Sequence, residues 1–136
     1  MSNLDSGNNL MFMTHEYYDE LLRAYDRKSW NVVVRHSQDV VELSLKSVLK
    51  IMGVEYPKSH DIATVFVRVC NEIGIKLEPE LVIKIKDISE DLADKRGPAF
   101  YMERIYTQED GEQAKADAEF VMNFVEALSV KLKGNL

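Results

Sequence analysis

Residues 30–52 read WNVVVRHSQDVVELSLKSVLKIM, and this stretch decides the fold. Val34, Val41, Leu45, Val48 and Met52 recur at spacings of seven, four and three, which lines them along one face of a helix. Arg35, Asp39, Glu42, Lys46 and Lys50 take the other side. Arg35 with Asp39, and Glu42 with Lys46, stand four residues apart and predict pairing along the helix surface. Gly53 suits the residue just past a helix end, and Pro57 lies shortly beyond.

The same period continues on both sides. Upstream, Tyr18, Leu21, Leu22 and Tyr25 predict a first helix opened by Thr14, with Arg27, Lys28 and Ser29 as a polar corner. Residues 1–12 are polar and lack periodicity, which predicts a mobile tail before a single domain over residues 13–134. Met11 and Met13 leave the natural start open. Downstream, Ile62, Val65, Phe66, Val69, Cys70 and Ile73 predict a third helix capped by Ser59 and ended by Gly74. Pro79 suits the first position of a fourth, with Leu81, Ile85, Ile88 and Leu92 inward and Gly97-Pro98 as the stop. After an aromatic connector over residues 98–106, Thr107 opens a fifth helix striped by Ala114, Ala118, Val121, Val125, Leu128 and Leu132. Five helical segments with short links predict an all-α, up-and-down antiparallel bundle of four main helices and a shorter one. The wide apolar stripes predict a homodimer that covers what one copy leaves exposed.

A chain of 136 residues can bury enough surface to fold as one domain without a metal or a disulfide. Its lone cysteine, Cys70, excludes an internal disulfide and predicts a reducing, cytoplasmic setting. No apolar run reaches membrane-spanning length, so no membrane association is expected. A net charge of −6 argues against a broad grip on nucleic acid but leaves room for a small nucleotide site.

No cofactor motif is present. Glycine-rich phosphate loops are absent, and His15, His36 and His60 lack metal-ligand spacing, so neither a metal nor a cofactor is expected. Three polar groups interrupt the apolar pattern. Gln38, Glu42 and Lys46 share one helix face, either as a solvated, ion-paired row or as a polar seam against a neighbour. Arg96, Tyr101 and Arg104 flank the break between helices four and five, where guanidinium groups can hold phosphate and a phenol can stack on a base. The alternative is helix capping by Arg96 and core packing by Tyr101. His60 and Asp61 sit at an expected helix start, which favours anions unless the Asp61 carboxylate itself fills the place.

Residues 37–49, SQDVVELSLKSVL, resemble the signature helix of the HEPN domain family. Gly53, Pro57 and Ser59-His60-Asp61-Ile62 are similar to that family's Gly…Pro…Thr-His-Asp-Leu segment. Arg96 with a tyrosine five residues later, then Tyr106-Thr107 before an alanine-rich last helix, also fits. The resemblance covers residues from about 14 to 132. It implies a bundle of four main helices with a shorter extra one, usually a homodimer, and two classes of function. Many members are metal-independent ribonucleases, often toxins of toxin–antitoxin pairs, in which both subunits contribute an arginine followed after four to six residues by a histidine. Others lack that pair and bind nucleotides or act beside a small nucleotidyltransferase.

None of this chain's six arginines is followed by histidine at that distance, and Tyr101 stands where the partner of Arg96 would be. Metal-free cleavage of RNA needs a base for the 2′-hydroxyl, a task suited to histidine and poorly to a phenol of pKa about 10. The expected function is nucleotide or RNA binding by a homodimer. Two alternatives stay open: a ribonuclease with an altered site, in which Arg96, Tyr101 or His60 takes part, and a non-catalytic nucleotidyltransferase partner.

Overall fold

The computed structural model describes residues 2–135. Five helices follow in order: α1 (Asn3–Asp26), α2 (Trp30–Ile51), α3 (Ala63–Glu72), α4 (Pro79–Phe100) and α5 (Gln108–Gly134). Four are long and α3 is a short helix of 10 residues. They form the up-and-down bundle that the periodicity implies. The second helix is central and packs against each of the other four. Its stripe is dry: Val34, Leu45, Val48 and Leu49 are fully buried. Leu21, Phe66, Ile85, Leu92 and Val125 complete the same core. Phe66 and Phe124 meet edge to face, 6.4 Å between centroids.

The chain start departs from expectation. The first helix begins at Asn3, and no tail precedes it within the described residues. Ser2 and Asp5 make a capping box: the Asp5 amide donates to Ser2 Oγ at 3.1 Å and the Ser2 amide to Asp5 Oδ2. Residues 3–12 lack an apolar stripe because they approach α2 by a small residue. A Cβ on Gly7 would come within 2.5 Å of Ile51 Cγ1, and Ser47 Oγ donates to the Gly7 carbonyl at 2.7 Å. Thr14 is an interior residue whose hydroxyl donates to the Leu10 carbonyl at 2.8 Å, not a cap.

Two further boundaries move. The third helix starts at Ala63, so Ser59 caps no helix and instead accepts the Asp61 amide at 3.2 Å in a short turn. The fourth helix runs through Gly97-Pro98 to Phe100. Pro98 lies in the last turns, where its fixed φ suits the helix and the loss of its own N–H costs a single bond. The helix ends where Met102 turns left-handed at φ 55°. Asn31 then fixes the connector: its amide donates to the carbonyls of Ala99 and Arg104 at 3.2 and 2.8 Å, and its oxygen accepts the Tyr106 amide at 2.8 Å.

Candidate functional site

A polar seam runs where α2 meets α4 and the α2–α3 loop. Gln38 is 1% exposed, yet every polar end of it is used. Its oxygen accepts from Arg96 Nη1 at 2.6 Å. Its amide nitrogen donates to Glu42 Oε1 at 2.9 Å and to the His60 carbonyl at 3.2 Å. Asp39, one residue on, forms an ion pair with Arg96 and accepts from His36. Glu42 joins Lys46, at 2.8 Å, to His60 Nδ1, at 2.7 Å. This network is satisfied end to end, as a buried polar cluster must be.

Burial works against both carboxylates, and their partners win. Burial would raise the Asp39 carboxyl, but hydrogen bonds from His36 and Arg96 and their charges hold it below the usual carboxylate range. Burial likewise acts to raise Glu42, and hydrogen bonds from Lys46, Gln38 and His60 lower it. Both are therefore anionic at neutral pH.

Beside the seam lies an open cleft of about 320 Å³, lined by Arg35, His60, Arg96, Phe100 and Tyr101 together with Ala93 and Gly97. Ala93 and Gly97 are four apart on α4, and their small size leaves the space. Phe100 and Tyr101 stand perpendicular, 4.7 Å between centroids, and Tyr101 is 70% exposed. Arg35 lays its guanidinium over the Phe100 ring, 4.1 Å from the centroid.

The structure thus brings Arg96, Tyr101 and His60 to one cleft, with Gln38 and Glu42 behind its wall. It does not bring Arg104, which stacks over Tyr106 at 5.1 Å, nor Lys46, which is held by Glu42. Asp61 accepts from Ser89 Oγ of α4 at 2.6 Å and ties the loop to the bundle. His60 and Asp61 therefore serve neighbouring side chains and do not cap α3. Arg96 lies a full turn inside α4, so it does not cap that helix either. Arg35 was legible only as a partner of Asp39; its place on the cleft depends on α4 continuing to Phe100. Among the described residues no group of three or more His, Cys, Asp or Glu is placed to hold a metal, and no helix is long and apolar enough to cross a membrane. Cys70 is buried without a partner, and burial pushes its thiol up to about 11, which suits an inert core residue.

No curated protein matches the chain. Among solved structures, the fold is similar to that of an archaeal HEPN homologue: 17% identity, a TM-score of 0.68, and 90% of this chain against 97% of that one. At that identity the likeness concerns the fold alone. The sequence profile of the HEPN domain matches residues 9–128, which include α2, the polar seam and every residue of the cleft. On that match the chain belongs to the HEPN domain family.

Proposed function

We propose that this protein binds a nucleotide, free or within RNA, in the cleft between α2 and α4, and does so as a homodimer. One observation carries the reading: cationic and exposed aromatic side chains share a cleft that is backed by a fully bonded polar seam. Guanidinium groups suit phosphate, and a free aromatic face suits a base. The homodimer is supported by exposed apolar side chains at the rim. Met102 and Ile105 are 61% and 78% exposed, and with Val32 they line a shallow depression beside the cleft.

The test is calorimetric titration of the purified protein with common nucleotides and short RNAs, alongside light scattering. Binding by a dimer is expected, with Arg96→Ala weakening it, because the loss of Arg96 also releases the Asp39 negative charge beside the cleft. No heat with any of these ligands would remove the reading.

A second reading, metal-independent RNA cleavage, is favoured by one observation. His60 lines the same cleft as Arg96, and Glu42 bonds its Nδ1, the arrangement that orients an imidazole base. Incubation of total RNA with a chelator should then show cleavage by the wild type and none by His60→Ala. Equal, negligible cleavage by both ends this reading.

A further inference from the structure

The two arginines of the cleft are not equivalent. Arg96 is committed: its Nη1 donates to Gln38 and pairs with the Asp39 carboxylate, so most of its charge is already balanced inside the protein. Arg35 is not. Among the described residues it makes no hydrogen bond and no ion pair, and its Nε–H is buried without an acceptor. Asp39, the carboxylate four residues along its own helix, is taken by Arg96 and His36. The Phe100 ring under Arg35 removes water from one face of the guanidinium and fixes its plane. A cation held in place, part-desolvated and without a counter-charge is a preorganised anion site.

We infer that Arg35, rather than Arg96, is the phosphate-binding group of this cleft, and that the cleft takes one nucleotide unit with its phosphate ester on Arg35 and its base on Tyr101. This rests on the nucleotide-binding reading above. Phe100 already carries Arg35 on one face, whereas Tyr101, perpendicular to it and 70% exposed, offers a platform. A cleft of about 320 Å³ lies at the low end of the roughly 300–1,000 Å³ typical of small-ligand pockets. That favours a single nucleotide over a longer segment held along its length. The overall charge of −6 acts the same way, because a long polyanion would meet net repulsion outside the cleft. Arg96 becomes a positioning residue that holds α4 to α2 and keeps the Asp39 charge away from the ligand.

The test is titration with adenosine 5′-monophosphate, adenosine, and a tetranucleotide RNA with and without a 5′-phosphate. Wild type, Arg35→Gln and Arg35→Lys are compared, with thermal melts confirming that each variant folds. The wild type should prefer the monophosphate to adenosine by about tenfold or more, as a charge-assisted contact implies. Arg35→Gln should erase that preference, and Arg35→Lys should restore part of it. The same loss on the 5′-phosphorylated tetranucleotide would assign the phosphate to a strand end, and loss on the monophosphate alone to a free nucleotide. A preference that survives in Arg35→Gln overturns the Arg35 assignment while the nucleotide reading stands. If the wild type binds none of the probes, both fall together.

Discussion

The two sides of α2 hold the bundle together by different means. On one side Val34, Leu45, Val48 and Leu49 are fully buried, and any apolar shape that fills the space would serve. On the other, Gln38 is almost as buried, but it is held by three partners drawn from α2, α4 and a loop. The dry side draws its stability from area removed from water. The polar side gains little net energy and fixes geometry, because each donor there tolerates a single arrangement. A site that must present charge to a ligand is better built on the second kind of surface.

Substitutions on the two sides should separate these roles. Leu45→Ala leaves a cavity in the core and should cost about 2–5 kcal/mol. Asp39→Ala strips the ion pair from Arg96 and the bond from His36. It should cost about 1–3 kcal/mol, between the limits for surface and buried pairs, because the Arg96 side chain is 26% and that of Asp39 13% exposed. In an Arg96→Ala background the Asp39→Ala cost should shrink, as coupled partners require. Denaturant melts of the wild type, the three single variants and the double variant measure this. Additivity between Asp39 and Arg96 would erase the distinction.

The same distinction explains how far the sequence could be read. Apolar spacing is a one-helix property, so the stripes of α2, α3 and α5 were legible directly. Thr107 was legible as the opening of α5 for the same reason, since its capping partner Asp110 lies within one turn. The N-terminal half of α1 was not, because its close approach to α2 is made by Gly7, which carries no hydrophobic signal. At the site, Arg96, Tyr101 and His60 could be nominated one at a time, whereas their partners could not. Local spacing pairs Arg35 with Asp39. The fold gives Asp39 to Arg96, 57 residues away, and Arg35 to Phe100. Partial burial favours the best geometry over the nearest neighbour in sequence, and only tertiary structure decides which that is.

Acid offers the finest test of the polar side. Asp39 and Glu42 both titrate below their ordinary values in the folded protein. A carboxylate lowered on folding stabilises the protein above its unfolded pKa, about 4 for these groups, and that contribution fades as pH falls through the lower folded value. Asp117 on α5 acts in the opposite sense: burial raises its pKa, so its protonation relieves a small cost as pH falls. Asp39→Asn removes one of the seam's two lowered carboxyls and keeps the shape. The melting-temperature gap between wild type and Asp39→Asn should therefore be widest at pH 6–7 and close as the pH is taken from about 4 down towards 2. A gap that stays constant over that range would mean that the Asp39 charge contributes nothing to the seam. Its role would then be one of packing, and the contrast between the two sides of α2 would reduce to shape.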